Sequence, residues 1–324
     1  MPIEEIPTIN FTFRNNRKVA LPATVASLVR RLPKFWRGLR RLKAIVRESQ
    51  PDVILNFFEA LTGIYALTNR RRPPVIVFGH QFMLGHPQFV RAPGLRLQQL
   101  GMKWYVKLVG AASTRLALSF YEAQDLPRKN IKVCPPLLRK QIFEMHPNPD
   151  GKFVLVYLLN HGYAEQIIAW HMRNPQTAIH CFYDKPGAPA EWKLDNTLTF
   201  HRLDGDKFLR MMAECKQIAC TAGFESLCEA AFMGKPLFLV PVENHVEQRL
   251  NALDATRLGW AVMDDRFNLD RLSELPERIN NARFRAWLGR ADSILMNTIE
   301  EAVTRAEEGS HHFKRWREQK SGAR

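Results

Sequence analysis

Acidic residues are scarce where the chain begins. Residues 1–150 hold 9 Asp+Glu against 24 Lys+Arg, whereas residues 151–324 hold 23 of each, so the formal charge of +15 lies wholly in the first stretch. Such a half is poorly supplied for chemistry that needs several carboxylates. It is suited to an anionic partner such as a membrane surface, a phosphorylated ligand or nucleic acid. Cysteine is also sparse. Cys134, Cys181, Cys215, Cys220 and Cys228 form no CxxC pair and are odd in number, and most lie within apolar runs. That argues against a disulfide framework and for reduced core thiols in a cytoplasmic protein. No run reaches the ~18 apolar residues of a spanning helix. The Met-Pro-Ile-Glu-Glu start has no basic region leading into an apolar one, so neither secretion nor a membrane span is expected. Gly (17) and Pro (20) are not enriched and 46% of residues are hydrophobic, which excludes a collagen-like or disordered chain.

Short apolar runs alternate with longer amphipathic stretches, the pattern of an α/β protein with parallel sheets. The length suits two domains. In the first, residues 52–57 (DVILNF) and 74–78 (PVIVF) read as buried strands and 116–120 as a weaker one. Residues 24–48 read as a cationic amphipathic helix, with Val25, Leu28, Leu32, Trp36, Leu39, Leu42 and Val46 at spacings of three and four; Pro33 should break or kink it. The Pro- and Asn-rich segment 132–150 reads as the linker. Beyond it, strands at 153–158, 178–183, 198–201, 217–220, 236–240 and 260–263 alternate with helices at 164–172, 206–215, 225–233 and 247–258, a doubly wound unit. The expected division is 1–140, 141–308 and a tail at 309–324.

Chemistry concentrates at Thr221-Ala222-Gly223-Phe224-Glu225-Ser226-Leu227-Cys228-Glu229. A strand ends in small residues, a helix starts at once, and the free amides of its first turn present partial positive charge to an anion. Gly223 allows close approach of a ligand, Ser226 adds a hydroxyl, and Glu229 stands one turn below Glu225, suited to a ribose diol. Strand-Gly-helix junctions occur in every α/β domain, however, and an exposed helical Glu is usually just solvated. The next junction adds weight: Val242-Glu243-Asn244-His245-Val246-Glu247-Gln248-Arg249-Leu250-Asn251 brings polar groups to the same sheet edge.

The two segments GFESLCEAAFMGKP and PVENHVEQRLNA resemble the donor-site signature of GT-B glycosyltransferases of family 28, the MurG-like and galactolipid-synthase-like group. The resemblance implies a GT-B fold, two Rossmann-like domains facing a cleft. Gly223, Phe224, Glu225 and Ser226 would then line a diphosphate, and Glu229 the ribose. Glu247, Gln248 and Asn251 would meet the transferred sugar, with His245 beside them, and Asn160, His161 and Gly162 would form a loop at the cleft. His80 and, second to it, Glu59 become the candidate bases, although a lone loop histidine is more often only hydrogen-bonded. The family's opening strand and Gly-rich, His-bearing loop have no counterpart, so the first domain is expected to be truncated.

The activity so implied is inverting transfer of a sugar from a nucleoside-diphosphate sugar, most simply a UDP-sugar, to an acceptor hydroxyl. No essential metal or other cofactor is expected. The expected partners are the donor, a glycan or lipid-linked acceptor and an anionic membrane surface at the cytoplasmic face, but no nucleic acid. An epimerase of the same fold and a non-catalytic anion-binding protein are the alternatives.

Overall fold

Two parallel sheets organise the computed structural model, which describes residues 3–6, 13–14, 18–19, 21–158 and 161–321. Phe13–Arg14 (β1) and Lys18–Val19 (β2) pair antiparallel as a separate ribbon, and α1 (Leu21–Ser49) follows. The first sheet then forms from β3 (Ile54–Asn56), β4 (Val75–Phe78), β5 (Thr114–Leu118) and β6 (Ile131–Cys134), in that order and all parallel. Its strands obey the period of two. Val75 and Val77 join the core that contains Ala60 and Ala66 of α2 (Ala60–Thr68) and Val109 of α3 (Arg96–Val109). Ile76 and Phe78 face the other way.

Helix α1 does not stop at Pro33; it is continuous from Leu21 to Ser49. A proline removes one helical hydrogen bond, and burial further along compensates for it: Leu39 and Val46 pack on Leu61 and Tyr65 of α2. Helix α2 in turn approaches α3 so closely that a Cβ at Gly63 would lie 2.3 Å from the carbonyl oxygen of Leu108 and 2.9 Å from Val109 Cα. Backbone cannot yield as a side chain can. Gly63→Ala is therefore expected to destabilise the protein by about 2 kcal/mol or more through overpacking, read as a lowered midpoint in thermal unfolding. A midpoint unchanged or raised would show that the two helices separate freely.

Ile131–Cys134 is an edge strand, which corrects the expected start of the linker at 132. Only after Pro135-Pro136 does the chain cross over, through α4 (Lys140–Phe143). The second sheet contains β7 (Val154–Leu158), β8 (Ile179–Tyr183), β9 (Glu191–Lys193), β10 (Leu198–Arg202), β11 (Gln217–Cys220), β12 (Leu237–Leu239) and β13 (Ala261–Met263), in the order β13-β12-β11-β7-β8-β10-β9. All pairings are parallel except that of β9. The connecting helices are α5 (Ala164–His171), α6 (Gly205–Glu214), α7 (Phe224–Phe232) and α8 (Val246–Arg257). Because both faces are covered, the strands read as continuous apolar runs.

After α9 (Ala282–Leu288), the last helix, α10 (Ala291–Ser321), leaves the second sheet. Its Ala302, Ile294, Leu295 and Ile299 pack on Ile76, Phe78 and Leu116 of the first sheet. The crossing is pinned by Trp287 Nε1, which donates to Ser119 O at 3.0 Å, and by a Lys132–Glu301 ion pair at 2.8 Å. All five cysteines are free and buried, and burial pushes the Cys134 and Cys220 thiols up to about 12, out of the reactive range. Among the described residues, no helix is long and apolar enough to cross a membrane.

Candidate functional site

The carboxyl ends of β4 and β11 point at one another across the groove between the sheets. A cavity of about 330 Å³ lies between them. On the first side, β4 runs into Gly79 and a tight turn at His80–Gly85. Gly79 is required by close packing, since a Cβ there would sit 2.4 Å from the ring of Phe58. Phe58 itself holds φ +64, a left-handed conformation that is costly for an aromatic residue and that turns the strand end into the cavity wall.

His80 is 4% exposed. Its Nδ1 lies 2.7 Å from Leu118 O, and a carbonyl can only accept, so Nδ1 carries the proton and Nε2 keeps its lone pair. That Nε2 is buried and has no hydrogen-bond partner among the described residues. Burial lowers the imidazole to about 4, against the opposing pull of the Leu118 bond, so the ring is neutral at ordinary pH. His80 stacks on Phe224 from the second half, centroids 4.0 Å apart, and Phe224 stacks on Phe120 at 4.9 Å. The Phe224 ring is thus a contact between the halves, and Phe224 also lines the cavity.

The opposite wall is the start of α7. Gly223 has an ordinary φ of −73, and a Cβ there would meet nothing nearer than Thr221 O at 3.7 Å. The amides of Phe224, Glu225 and Ser226 precede the first intrahelical bond, which Leu227 N makes to Gly223 O. Glu225 is exposed and Ser226 half-buried, and both line the cavity. From α8 come Glu247 and Gln248. Glu247 accepts a hydrogen bond from the Gln81 side chain, and burial pushes its carboxyl up despite that bond.

Three other expected site residues have different surroundings. Glu229 is 5% exposed and closed by a bidentate pair: Arg139 Nε donates to Oε1 at 2.6 Å and Nη2 to Oε2 at 2.9 Å, while Nη1 reaches Gly205 O at 3.2 Å. Asn251 is fully buried and donates through Nδ2 to Ala222 O at 3.0 Å, which braces the turn into α7 from below. His245 caps α8, accepting from Gln248 N at 3.3 Å, and lines a neighbouring cavity of about 510 Å³ with Tyr163, Asn244 and Arg249. Gln248 accepts through Oε1 from Val242 N at 2.8 Å, which fixes its orientation.

His161 and Gly162 lie at the junction of β7 and α5, with His161 Nδ1 3.1 Å from Asp184 O, and do not line the cavity; Asn160 lies outside the described residues. Glu59 is exposed at the start of α2, outside the cavity wall. Sequence reasoning missed Arg139, Phe58 and Tyr157, the last of which lines the cavity from the end of β7. Arg139 sits in linker sequence without periodicity, and no local pattern pairs it with Glu229.

Residues 1–279 match the family model described as glycosyl transferase family 1. No curated protein matches the chain in sequence. Among solved structures, Arabidopsis thaliana UGT89C1, complexed with UDP-L-rhamnose, superposes with a TM-score of 0.56 at 14% identity, over 87% of this chain and 78% of that one. Glycyrrhiza uralensis UGT73P12, complexed with glycyrrhetinic acid 3-O-monoglucuronide, gives 0.56 at 13% identity over 100% and 87%. The glycotransferase of kitacinnamycin gives 0.50 at 16% identity over 86% and 78%. These neighbours share the GT-B fold, two α/β units facing a cleft, that the motifs implied.

Proposed function

Since the chain belongs to glycosyl transferase family 1, we propose that it transfers a sugar from a nucleoside-diphosphate sugar to an acceptor hydroxyl, with inversion at the anomeric carbon. One observation carries the reading: the free amides at the start of α7 and the His80 side chain, whose Nε2 has no partner among the described residues, belong to the walls of one cavity from opposite halves. The diphosphate rests on the amides of Phe224, Glu225 and Ser226, where the helix dipole favours negative charge. The acceptor hydroxyl approaches from the His80 side. Its oxygen bonds to the anomeric carbon as the bond to the diphosphate oxygen breaks, Nε2 takes the hydroxyl proton, and the amides hold the departing charge. Glu247 and Gln248 meet the transferred sugar. Asn251 acts through the turn that it braces. No metal enters this scheme.

The likeness of GFESLCEAAFMGKP and PVENHVEQRLNA to family 28 supports UDP as the nucleotide, a hexose as the sugar and a lipid-linked or envelope glycan as the acceptor. A thermal-shift panel of UDP-, GDP- and dTDP-sugars tests the donor. At a hundredfold excess over Kd the right donor adds about 2.7 kcal/mol, a rise of several degrees in midpoint. No rise with any of the three, together with no transfer to water or alcohol acceptors, would sink the reading.

A further inference from the structure

From residue 60 to residue 121 the sequence contains no Asp or Glu but eight cations: Arg70, Arg71, Arg72, Arg91, Arg96, Lys103, Lys107 and Arg115. Within that stretch, α3 turns large apolar side chains outward. Leu100 is 54% exposed and Trp104, one turn on, 66%. Beside them opens a groove of about 320 Å³ with Phe82 and Ile131 buried at its floor and no acidic residue in its wall. Two of its cations are committed, Arg115 Nε to Gly110 O at 2.9 Å and Lys129 Nζ to Gly85 O at 2.8 Å. Lys103 and Lys107 form no ion pair with a described residue, and Lys107 Nζ hangs 5.1 Å from the centre of the Trp104 ring. The pattern repeats on α1, where Leu32 (43%) and Trp36 (57%) are exposed beside Lys34, Arg37 and Arg40.

We propose that the outer face of α3, with its groove, docks on an anionic phospholipid bilayer. An exposed indole and leucine, flanked by long cationic side chains that can lift their charged ends, match the boundary between headgroups and acyl chains. An acid-free stretch this long, extended by a second Trp-bearing cationic helix, matches a broad uniform negative surface better than a folded acidic protein, which would call for mixed charge and defined pockets. The surface stands independently of the sugar-transfer reading. Where that reading holds, docking would bring a lipid-linked acceptor to the enzyme.

Flotation of the full-length protein with vesicles tests the surface. Binding is expected with equal parts phosphatidylglycerol and phosphatidylcholine, and not with phosphatidylcholine alone. Lys103→Gln/Lys107→Gln is expected to weaken it about tenfold or more, and Leu100→Ser/Trp104→Ser by a similar factor. Both double variants should keep the wild-type melting midpoint and the wild-type response to donor nucleotides, which separates loss of docking from loss of fold or of the donor site. Equal binding to neutral vesicles, undiminished binding by either variant, or binding to heparin with none to anionic vesicles would overturn the proposal.

Discussion

Glu229→Gln is expected to lower kcat/KM at least a hundredfold while leaving most of the stability in place, and Glu229→Ala to lower both. The distinction follows from Arg139. In the native protein the carboxylate of Glu229 is nearly buried and both its oxygens accept from one guanidinium. Glutamine keeps the volume and one acceptor oxygen, so Arg139 retains a partner; the loss of activity follows where donor binding draws the carboxylate from Arg139 to a ribose diol, a charge that glutamine lacks. Alanine leaves the guanidinium with only Gly205 O. Breaking a fully buried pair costs 3–5 kcal/mol, and Arg139 is 39% exposed, so a loss of about 2 kcal/mol is the fitting expectation. Arg139→Ala strands a buried carboxylate instead and should cost no less. A double-mutant cycle on melting free energies should return a coupling of about 1–2 kcal/mol. Wild-type turnover in Glu229→Gln would remove this residue from the donor site and leave it a structural anchor between the crossover segment and α7.

The same residue marks where the sequence stops being readable. Its position on α7 is local information: a strand, a small-residue turn and a helix within one short stretch. Its partner is not local, because Arg139 lies 90 positions away in a segment with no periodicity. The stack of Phe224 on His80 is of the same kind, because no local pattern says which way a ring at a helix start will turn. Strands buried on both faces were legible almost to the residue, Gln217–Cys220 among them, since a continuous apolar run has few other homes. Two edge strands were not. Glu191–Lys193 is exposed along its length, and Ile131–Cys134, although buried at Ile131, Val133 and Cys134, is only four residues long and runs straight into Pro135, so only the pairing reveals them. The crossing of α10 to the first sheet was equally hidden, because an amphipathic helix does not name the surface that it covers.

His80→Phe is expected to abolish turnover, by a hundredfold to ten-thousandfold, in a protein that still folds. A phenyl ring fills the place between Phe89, Phe120 and Phe224 and gives up only the bond to Leu118 O, worth about 1 kcal/mol. It has no Nε2 to receive a proton. The pH dependence of the wild type supplies the second half of the test. Burial holds the native imidazole at about 4, below its usual 6.5, so the neutral ring survives as pH falls through 6 and is protonated only near 4. If His80 is the base, kcat/KM should hold through pH 6 and fall with an acid limb near 4. Glu247 is the competing base in the cavity, and its carboxyl is pushed upward by burial. If Glu247 takes the proton, the limb should lie above the ordinary carboxylate range, persist in His80→Phe and vanish in Glu247→Gln. The two outcomes point to opposite walls of the same cleft. A limb near 4 that disappears with His80 would place proton removal on the first sheet and leave the second to hold the donor.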